Sequence, residues 1–212
     1  MQITWLGQSC FKIQGKDATI ITDPYDGKKY GLKLPRLNAD IVTSSHDHDD
    51  HNNIKAVSSQ PFVVNTPGEY ETKNVFIWGI HSWHDTNEGA DRGDNIIFIF
   101  QIDGIKIAHL GDLGTNLTDE QFAKLEGVDI LMIPVGGVYT INGQKAAEVV
   151  NKVEPRMVIP MHYKIPGLKL KLDGVNKFCD EMGVKLNGPE EKLKISKKEL
   201  PVEDVQIIIL KP

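Results

Sequence analysis

Cysteine is scarce in this 212-residue chain: there are two, Cys10 and Cys179, far apart in sequence. Two such residues cannot build a disulfide framework, and they read as free thiols of a reducing compartment. A surplus of positive charge is missing as well. Asp and Glu number 29 against 24 Lys and Arg, a formal net charge of −5. That balance excludes a broad nucleic-acid-binding face as the default, while leaving room for a local basic patch. No run approaches the roughly 20 apolar residues of a membrane span. The opening Met1-Gln2-Ile3-Thr4-Trp5 has no basic lead and no long apolar stretch, so it reads as a mature start and not as a signal peptide. A cytoplasmic protein is the expectation. Internal linkers, short-period repeats and low-complexity tracts are also missing. With 40% hydrophobic and 25% charged residues, disorder and fibrous structure are excluded. The length suits a single domain over residues 1–212.

What is there begins as β-structure. Residues 2–6, 11–14 and 18–22 are short runs rich in apolar and β-branched side chains, broken by Gly7 and Gly15. Asp23-Pro24 ends the third run, because proline supplies no ladder donor and disfavours helix before it. A polar loop over 25–37 leads to strands at 41–45, 62–64 and 75–80. The segment 84–95 is rich in Gly, Asp and Asn and reads as a loop bordering the cleft as a mobile rim. Residues 96–102 and 105–110 flank Asp103-Gly104, a dipeptide that tolerates the positive φ angles of a tight hairpin turn. Thr118-Asp119-Glu120-Gln121 is a capping box that predicts a helix to about Leu125. A strand at 128–134, a helix at 144–153 closed by Pro155, and a strand at 157–161 follow. A helix at 173–182 stopped by Gly183 and strands at 192–196 and 205–210 finish the chain. Strands alternate with helices in both halves, which predicts an α/β (α+β) unit of sheets covered by helices.

The chemistry concentrates in Ser45-His46-Asp47-His48-Asp49-Asp50-His51, where three of the seven histidines fall within six residues. His46 and His48 are two apart at the end of a predicted strand, where alternate side chains share a face. Two imidazoles are thereby presented to one point, and Asp50 and His51 can reach a second one beyond the turn. Imidazole suits zinc and iron, and a mixed nitrogen and oxygen set suits Zn²⁺, iron or Mn²⁺. The plainer reading, a solvated loop capping a helix near Asn52 or Asn53, explains one polar residue and not seven. Further donors stand at strand ends: His84, Asp112 and His162. Layered α/β folds collect their sites there.

Several stretches together resemble the metallo-β-lactamase-fold hydrolases, and among them the stand-alone group that includes L-ascorbate-6-phosphate lactonase. They are Ile3-Thr4-Trp5-Leu6-Gly7-Gln8-Ser9-Cys10-Phe11, Thr22-Asp23-Pro24, the cluster at 46–51, Ser82-Trp83-His84-Asp85, His109-Leu110-Gly111-Asp112, Pro134-Val135-Gly136-Gly137 and Pro160-Met161-His162-Tyr163. The resemblance covers nearly the whole chain. It implies a four-layer αββα sandwich with a pair of metal ions in the cleft between its halves. Carried over by position, His46, His48 and His84 would hold one ion, Asp50, His51 and His162 the other, and Asp112 would bridge them. Gln8 departs from the pattern, since relatives often have histidine there. His81 competes with His84 as third ligand, and the Asp85 that follows favours His84. His109 shares a strand face with Ile105 and Ile107 and reads as a buried, non-ligating histidine. Asp23 reads as the residue holding a ligand imidazole by its other N–H, set against a plain Asp-Pro turn.

The implied chemistry is hydrolysis by a hydroxide shared between two divalent ions, with zinc the first expectation and manganese or iron the alternatives. Asp50 would bind an ion and also orient the hydroxide, the one catalytic side chain assigned. No Gly-x-Ser-x-Gly motif offers a serine nucleophile. Tyr163 is adjacent to His162 and could donate a proton to the leaving group, although packing is the plainer role. The substrate is expected to be a small anionic ester, lactone or phosphodiester. Lys28, Lys29, Tyr30, Lys33 and Arg36 sit in one loop that could favour such an anion, against the plainer reading of a solvated loop. Two other classes compete: a di-iron redox enzyme, and a non-catalytic metal-stabilised nucleic-acid-binding module. The first would need a carboxylate where His48 stands and a flavin domain. The second would need an arm that 212 residues leave no room for.

Overall fold

The computed structural model describes residues 1–185 and 188–212. In chain order the elements are β1 (Gln2–Gly7), β2 (Cys10–Gln14), β3 (Thr19–Thr22), α1 (Gly27–Tyr30), β4 (Ile41–Thr43), β5 (Phe62–Val64), β6 (Gly68–Thr72), β7 (Val75–Trp83) and β8 (Asp94–Ile102). They continue with β9 (Ile105–His109), α2 (Asp119–Leu125), β10 (Ile130–Pro134), α3 (Gly143–Val153), β11 (Met157–Met161), α4 (Asn176–Glu181), β12 (Leu193–Lys194) and β13 (Gln206–Ile207). These strands form two mixed sheets. One has the order β12-β1-β2-β3-β4-β5, and the other β13-β11-β10-β9-β8-β7-β6.

Sequence alternation explains why the first sheet is buried on both faces. Ile3, Trp5, Phe11, Ile13, Ile20 and Ile41 point into the large core shared with the second sheet. Leu6, Cys10, Ile21 and Val42 point the other way, under the segment that holds Tyr25, Leu37 and Ala39. Adjacent residues such as Ile20 and Ile21 thus feed opposite faces, as the two-residue period of a strand requires. On this side the outer layer is thin: α1 and the 3-10 turn Ile54–Ala56 joined by irregular chain. On the far side α3 packs with α2, α4 and β10. Its Ala146, Ala147, Val149 and Val150 are buried. The result is the layered α/β sandwich that the elements predicted.

Two parallel pairings decide where the site falls. β3, β4 and β5 run parallel, and β9, β10, β11 and β13 run parallel. The carboxyl ends of β4, β9 and β11 therefore open on the same cleft between the sheets.

Most differences from the sequence expectation have tertiary causes. β6, Gly-Glu-Tyr-Glu-Thr, has no apolar pattern of its own and forms only because it pairs with β7 at the sheet edge. The helix expected at 173–182 starts later, at Asn176. Asp173 is already committed: its N–H donates to the Gly136 carbonyl at 2.8 Å and its carbonyl accepts from Lys164 at 2.8 Å. The strand expected at 41–45 stops at Thr43, so His46 and His48 stand in a loop and not on a strand face. The Thr118–Gln121 capping box forms as expected, and α2 runs to Leu125.

Candidate metal centre

Strand ends and turns bring seven side chains to one place. His46, His48, Asp50 and His51 come from the loop after β4, and His84 directly follows β7. Asp112 follows β9 by three residues, and His162 directly follows β11. Three donor groups form from them: His46, His48 and His84; His46, His51 and Asp112; and Asp50, His51 and His162. Within each group the candidate ligand atoms lie within 4.8 Å of one another. The rings of His46, His48 and His84 are 4.6, 4.7 and 5.1 Å apart, pair by pair. In place of strand alternation, a tight turn makes them converge, in which the His51 and Asn52 N–H groups both donate to the His48 carbonyl.

Asp112 lies at the centre. Its Oδ2 is 3.2 Å from His51 Nε2, 3.3 Å from His162 Nε2 and 3.5 Å from His84 Nε2. Its Oδ1 accepts from the Ser9 hydroxyl at 3.2 Å, and its N–H donates to Asn95 Oδ1 at 2.9 Å. Asn95 is itself tied to Ser82 and to the Leu110 carbonyl. The carboxylate is thus locked with one oxygen facing the imidazoles. Burial alone would raise its pKa, but the surrounding imidazoles of His162, His51 and His46 hold it well below the carboxylate range. Asp50 is held down in the same way: burial opposes the shift, and His51 and His162 overcome it. His46 is pushed down to about 2, first by burial and then by His51. Burial lowers His84 too. His51 goes the other way. Burial works against its charge, yet Asp112, Asp50 and Asp23 raise its pKa well above the ordinary value.

Asp23 organises the loop from behind. One oxygen accepts from the Ser45 N–H at 2.8 Å. The other takes the Ser45 hydroxyl at 2.6 Å and His51 Nδ1 at 2.9 Å. Asp23 thereby leaves Nε2 of His51 as the nitrogen facing the cluster, free to serve as a ligand. Gln8, foreseen only as a departure from a pattern, sits inside the cluster. Its side-chain amide is 3.2 Å from Asp50 Oδ2 and 3.4 Å from His162 Nε2. Two glycines are required by crowding: a Cβ on Gly114 would run into the carbonyl of His84, and one on Gly136 into that of His162.

The donor set fits hard-to-borderline divalent cations. Nitrogen and carboxylate oxygen atoms converge here without the protons needed to link them all. Nε2 of His46 and of His51, buried in the protein, find no hydrogen-bond partner, and buried polar groups are normally satisfied.

The remaining expectations divide clearly. The structure brings His84 into the cluster and leaves His81 outside, half-exposed, with its Nε2 2.9 Å from Asp94. The reason offered from sequence for His84 does not apply, because Asp85 touches no imidazole. Its carboxylate instead accepts the N–H groups of Asn87, Gly89, Asp91 and Arg92 at 2.7 to 3.1 Å, so the loop expected to be a mobile rim is wound around it. His109 is buried outside the cluster, its Nε2 donating to the Ser9 carbonyl at 2.8 Å. Tyr163 packs on Trp5 at 4.9 Å and donates to the Leu210 carbonyl, so it offers no proton to the cleft. Cys10 and Cys179 are buried free thiols outside the ligand groups. Of the 26–36 loop only Tyr30 lines the cleft, and Lys29 is paired with Asp49. The cation that does line it is Arg92, in the 84–95 loop that sequence placed beside the cleft without singling out this residue.

Comparison with known proteins agrees with this fold. A family model described as the beta-lactamase superfamily domain matches residues 2–162. The chain is 27% identical to a UPF0173 metal-dependent hydrolase of Archaeoglobus fulgidus, over all of this chain and 96% of that one. It is 28% identical to a UPF0173 metal-dependent hydrolase of Thermococcus onnurineus, over 77% of this chain and 84% of that one. Among solved structures it resembles a protein from Thermotoga maritima provisionally described as a zinc-dependent hydrolase of the metallo-beta-lactamase superfamily. There the TM-score is 0.78 and the identity 34%, over 99% of both chains.

Proposed function

The chain belongs to the beta-lactamase superfamily, and we propose that, as a metal-dependent hydrolase of that family, it works through two divalent ions on a small anionic ester, lactone or phosphodiester. The observation that carries the two-ion reading is Asp112, whose Oδ2 faces the Nε2 atoms of His51, His84 and His162 at 3.2 to 3.5 Å. One carboxylate shared between two clusters of imidazoles is how a bridging ligand must stand. His46, His48 and His84 would hold one ion, and Asp50, His51 and His162 the other. Zinc suits this nitrogen-rich set, and manganese or iron also fit it.

When bound, such ions supply Lewis acidity to the scissile oxygen and lower the pKa of water towards neutrality. The chain's own residues set the rest. Asp50, kept ionised by His51 and His162 and fixed by Gln8, accepts a hydrogen bond from the attacking water and aligns it. Tyr30 lines the same cavity and is raised in pKa, by burial first and then by Asp50. Its hydroxyl therefore stays protonated, able to donate to the substrate. No helix among the described residues is long and apolar enough to cross a membrane. We take residues 1–212 as one catalytic unit and place it in the cytoplasm, where its two buried thiols would stay reduced.

The test is metal content and turnover together. Metal-replete protein should carry two equivalents and hydrolyse members of a panel of lactones, esters and bis-p-nitrophenyl phosphate. Asp112→Ala should lose at least one equivalent and essentially all turnover. Full activity in that variant would overturn the assignment.

A further inference from the structure

Resting on that hydrolase reading, we propose that Arg92 selects the substrate. It would bind a carboxylate or phosphate group that the substrate carries apart from its scissile bond, while the polar remainder lies in an adjoining groove. The cleft over the ligand cluster is a cavity of about 290 Å³. Beside it lies a larger one of about 630 Å³, with Asn52, Asn65, Thr66 and His81 among its walls. His48 and Arg92 line both. A molecule reacting at the metal centre and extending into the groove must therefore pass the guanidinium. Together the two spaces hold more than a bare ester or phosphate needs.

Arg92 is also uncommitted. No carboxylate lies within 4.0 Å of it among the described residues, whereas Arg156 reaches Asp129 at 3.5 Å and Lys29 is paired with Asp49. Among the described residues its guanidinium makes one hydrogen bond, a long one, Nη2 donating to the Val138 carbonyl at 3.4 Å, and it stands 5.9 Å from the Tyr139 ring. Most of its five donors remain free for a planar oxyanion, which a guanidinium grips through two parallel hydrogen bonds. It is the one lysine or arginine among the described residues lining either cavity.

Its position is built from both sides. Asp85 fixes the Arg92 backbone through its N–H at 2.7 Å. Opposite, Val138 takes a φ of +60°. A β-branched residue occupies that left-handed region only under strain, and such strain gathers where a loop must present something. Here it presents the carbonyl that meets Arg92 and the ring of Tyr139.

The decisive experiment compares wild type, Arg92→Ala and Arg92→Lys, all metal-loaded and full-length. Substrates are p-nitrophenyl acetate, which is neutral, and mono-p-nitrophenyl succinate, which carries a free carboxylate. Succinate and inorganic phosphate binding is followed by calorimetry. Arg92→Ala should raise KM for the succinate ester by about tenfold or more, leave its kcat within about threefold and leave the acetate ester unchanged. Arg92→Lys should recover part of the loss. Weaker succinate binding alone would mark a carboxylate-bearing substrate, and weaker phosphate binding alone a phosphate-bearing one. If wild type hydrolyses neither ester, nor the lactones and bis-p-nitrophenyl phosphate of the wider panel, the hydrolase reading fails. The calorimetry still decides Arg92: equal anion binding by wild type and Arg92→Ala would overturn its role, and a tenfold loss would uphold it.

Discussion

Asp23 shows how a single buried residue can govern the centre. It makes no contact with the cleft, yet it holds His51 Nδ1 at 2.9 Å and two groups of Ser45. Replacing such a partner typically weakens metal binding by roughly 10- to 100-fold. Asp23→Asn should do so, as measured by competition with a chromophoric chelator, while the fold survives by circular dichroism. An unchanged affinity would mean that His51 is not a ligand. His51 also sets the pH behaviour. Its raised pKa means that the metal-free protein keeps a proton there at neutral pH, surrounded by Asp112, Asp50 and Asp23. A cation held by His51 would displace that proton, so metal affinity should fall as pH falls. Calorimetry in buffers of different ionisation enthalpy should report proton release on binding. The same groups set the stability of the metal-free chain. The His51 contribution is fully present below its unfolded pKa of about 6.5 and is lost as pH rises through its folded value. The depressed pKa values of Asp50 and Asp112 act in the opposite sense. Their contribution is present above the unfolded value of roughly 4 and is lost as pH falls towards the folded ones. Urea midpoints of metal-free protein should therefore decline on both the acid and the alkaline side.

At the scale of elements, the candidate ligands depend on backbone that passes close behind them. The loop after β10 crosses the chain at His162, and Gly136 is the residue at the crossing. His162 itself has a φ of +50°, a conformation held by its surroundings, since its N–H donates to the carbonyl of Gln8 at 3.2 Å. A methyl group at position 136 must push the His162 carbonyl away. Gly136→Ala should therefore lose the ion that Asp50, His51 and His162 would hold before it loses the other. Metal stoichiometry falling from two towards one, with the fold intact, is the expected result. Retention of both ions would show that the crossing relaxes without moving the imidazole. The strands at 62–64 and 157–161 and the helix after Thr118 were legible in sequence, because their apolar periods and caps are local. β6 was not, because its Glu69 and Glu71 carry no strand pattern and only β7 beside it supplies a reason to extend.

For the whole molecule, the site is a seam. His46, His48, Asp50 and His51 hang from the first sheet, and His84, Asp112 and His162 from the second. Ions held between them would tie the two halves together, and they would bind the folded state alone. Stability should then rise with free metal by about 2.7 kcal/mol for each ion at a hundred times its dissociation constant. The denaturation temperature should climb with added zinc and drop with a strong chelator, and a temperature indifferent to both would argue against ligands drawn from the two sheets. The amino-acid sequence by itself determined the donor types and where they cluster. Three histidines and their aspartates within 46–51 are neighbours along the chain, and strand ends follow from local apolar patterns. Only the tertiary structure decided which distant residues meet them. His84 was separated from His81 by the path of the chain after β7. Asp85 became the hub of a loop, where sequence had made it the neighbour of a ligand. Arg92, and not the lysines of the 26–36 loop, came to line the cleft. Those outcomes depend on contacts between segments tens of residues apart, set by how two sheets pack over a common core, and no short pattern in a chain encodes them.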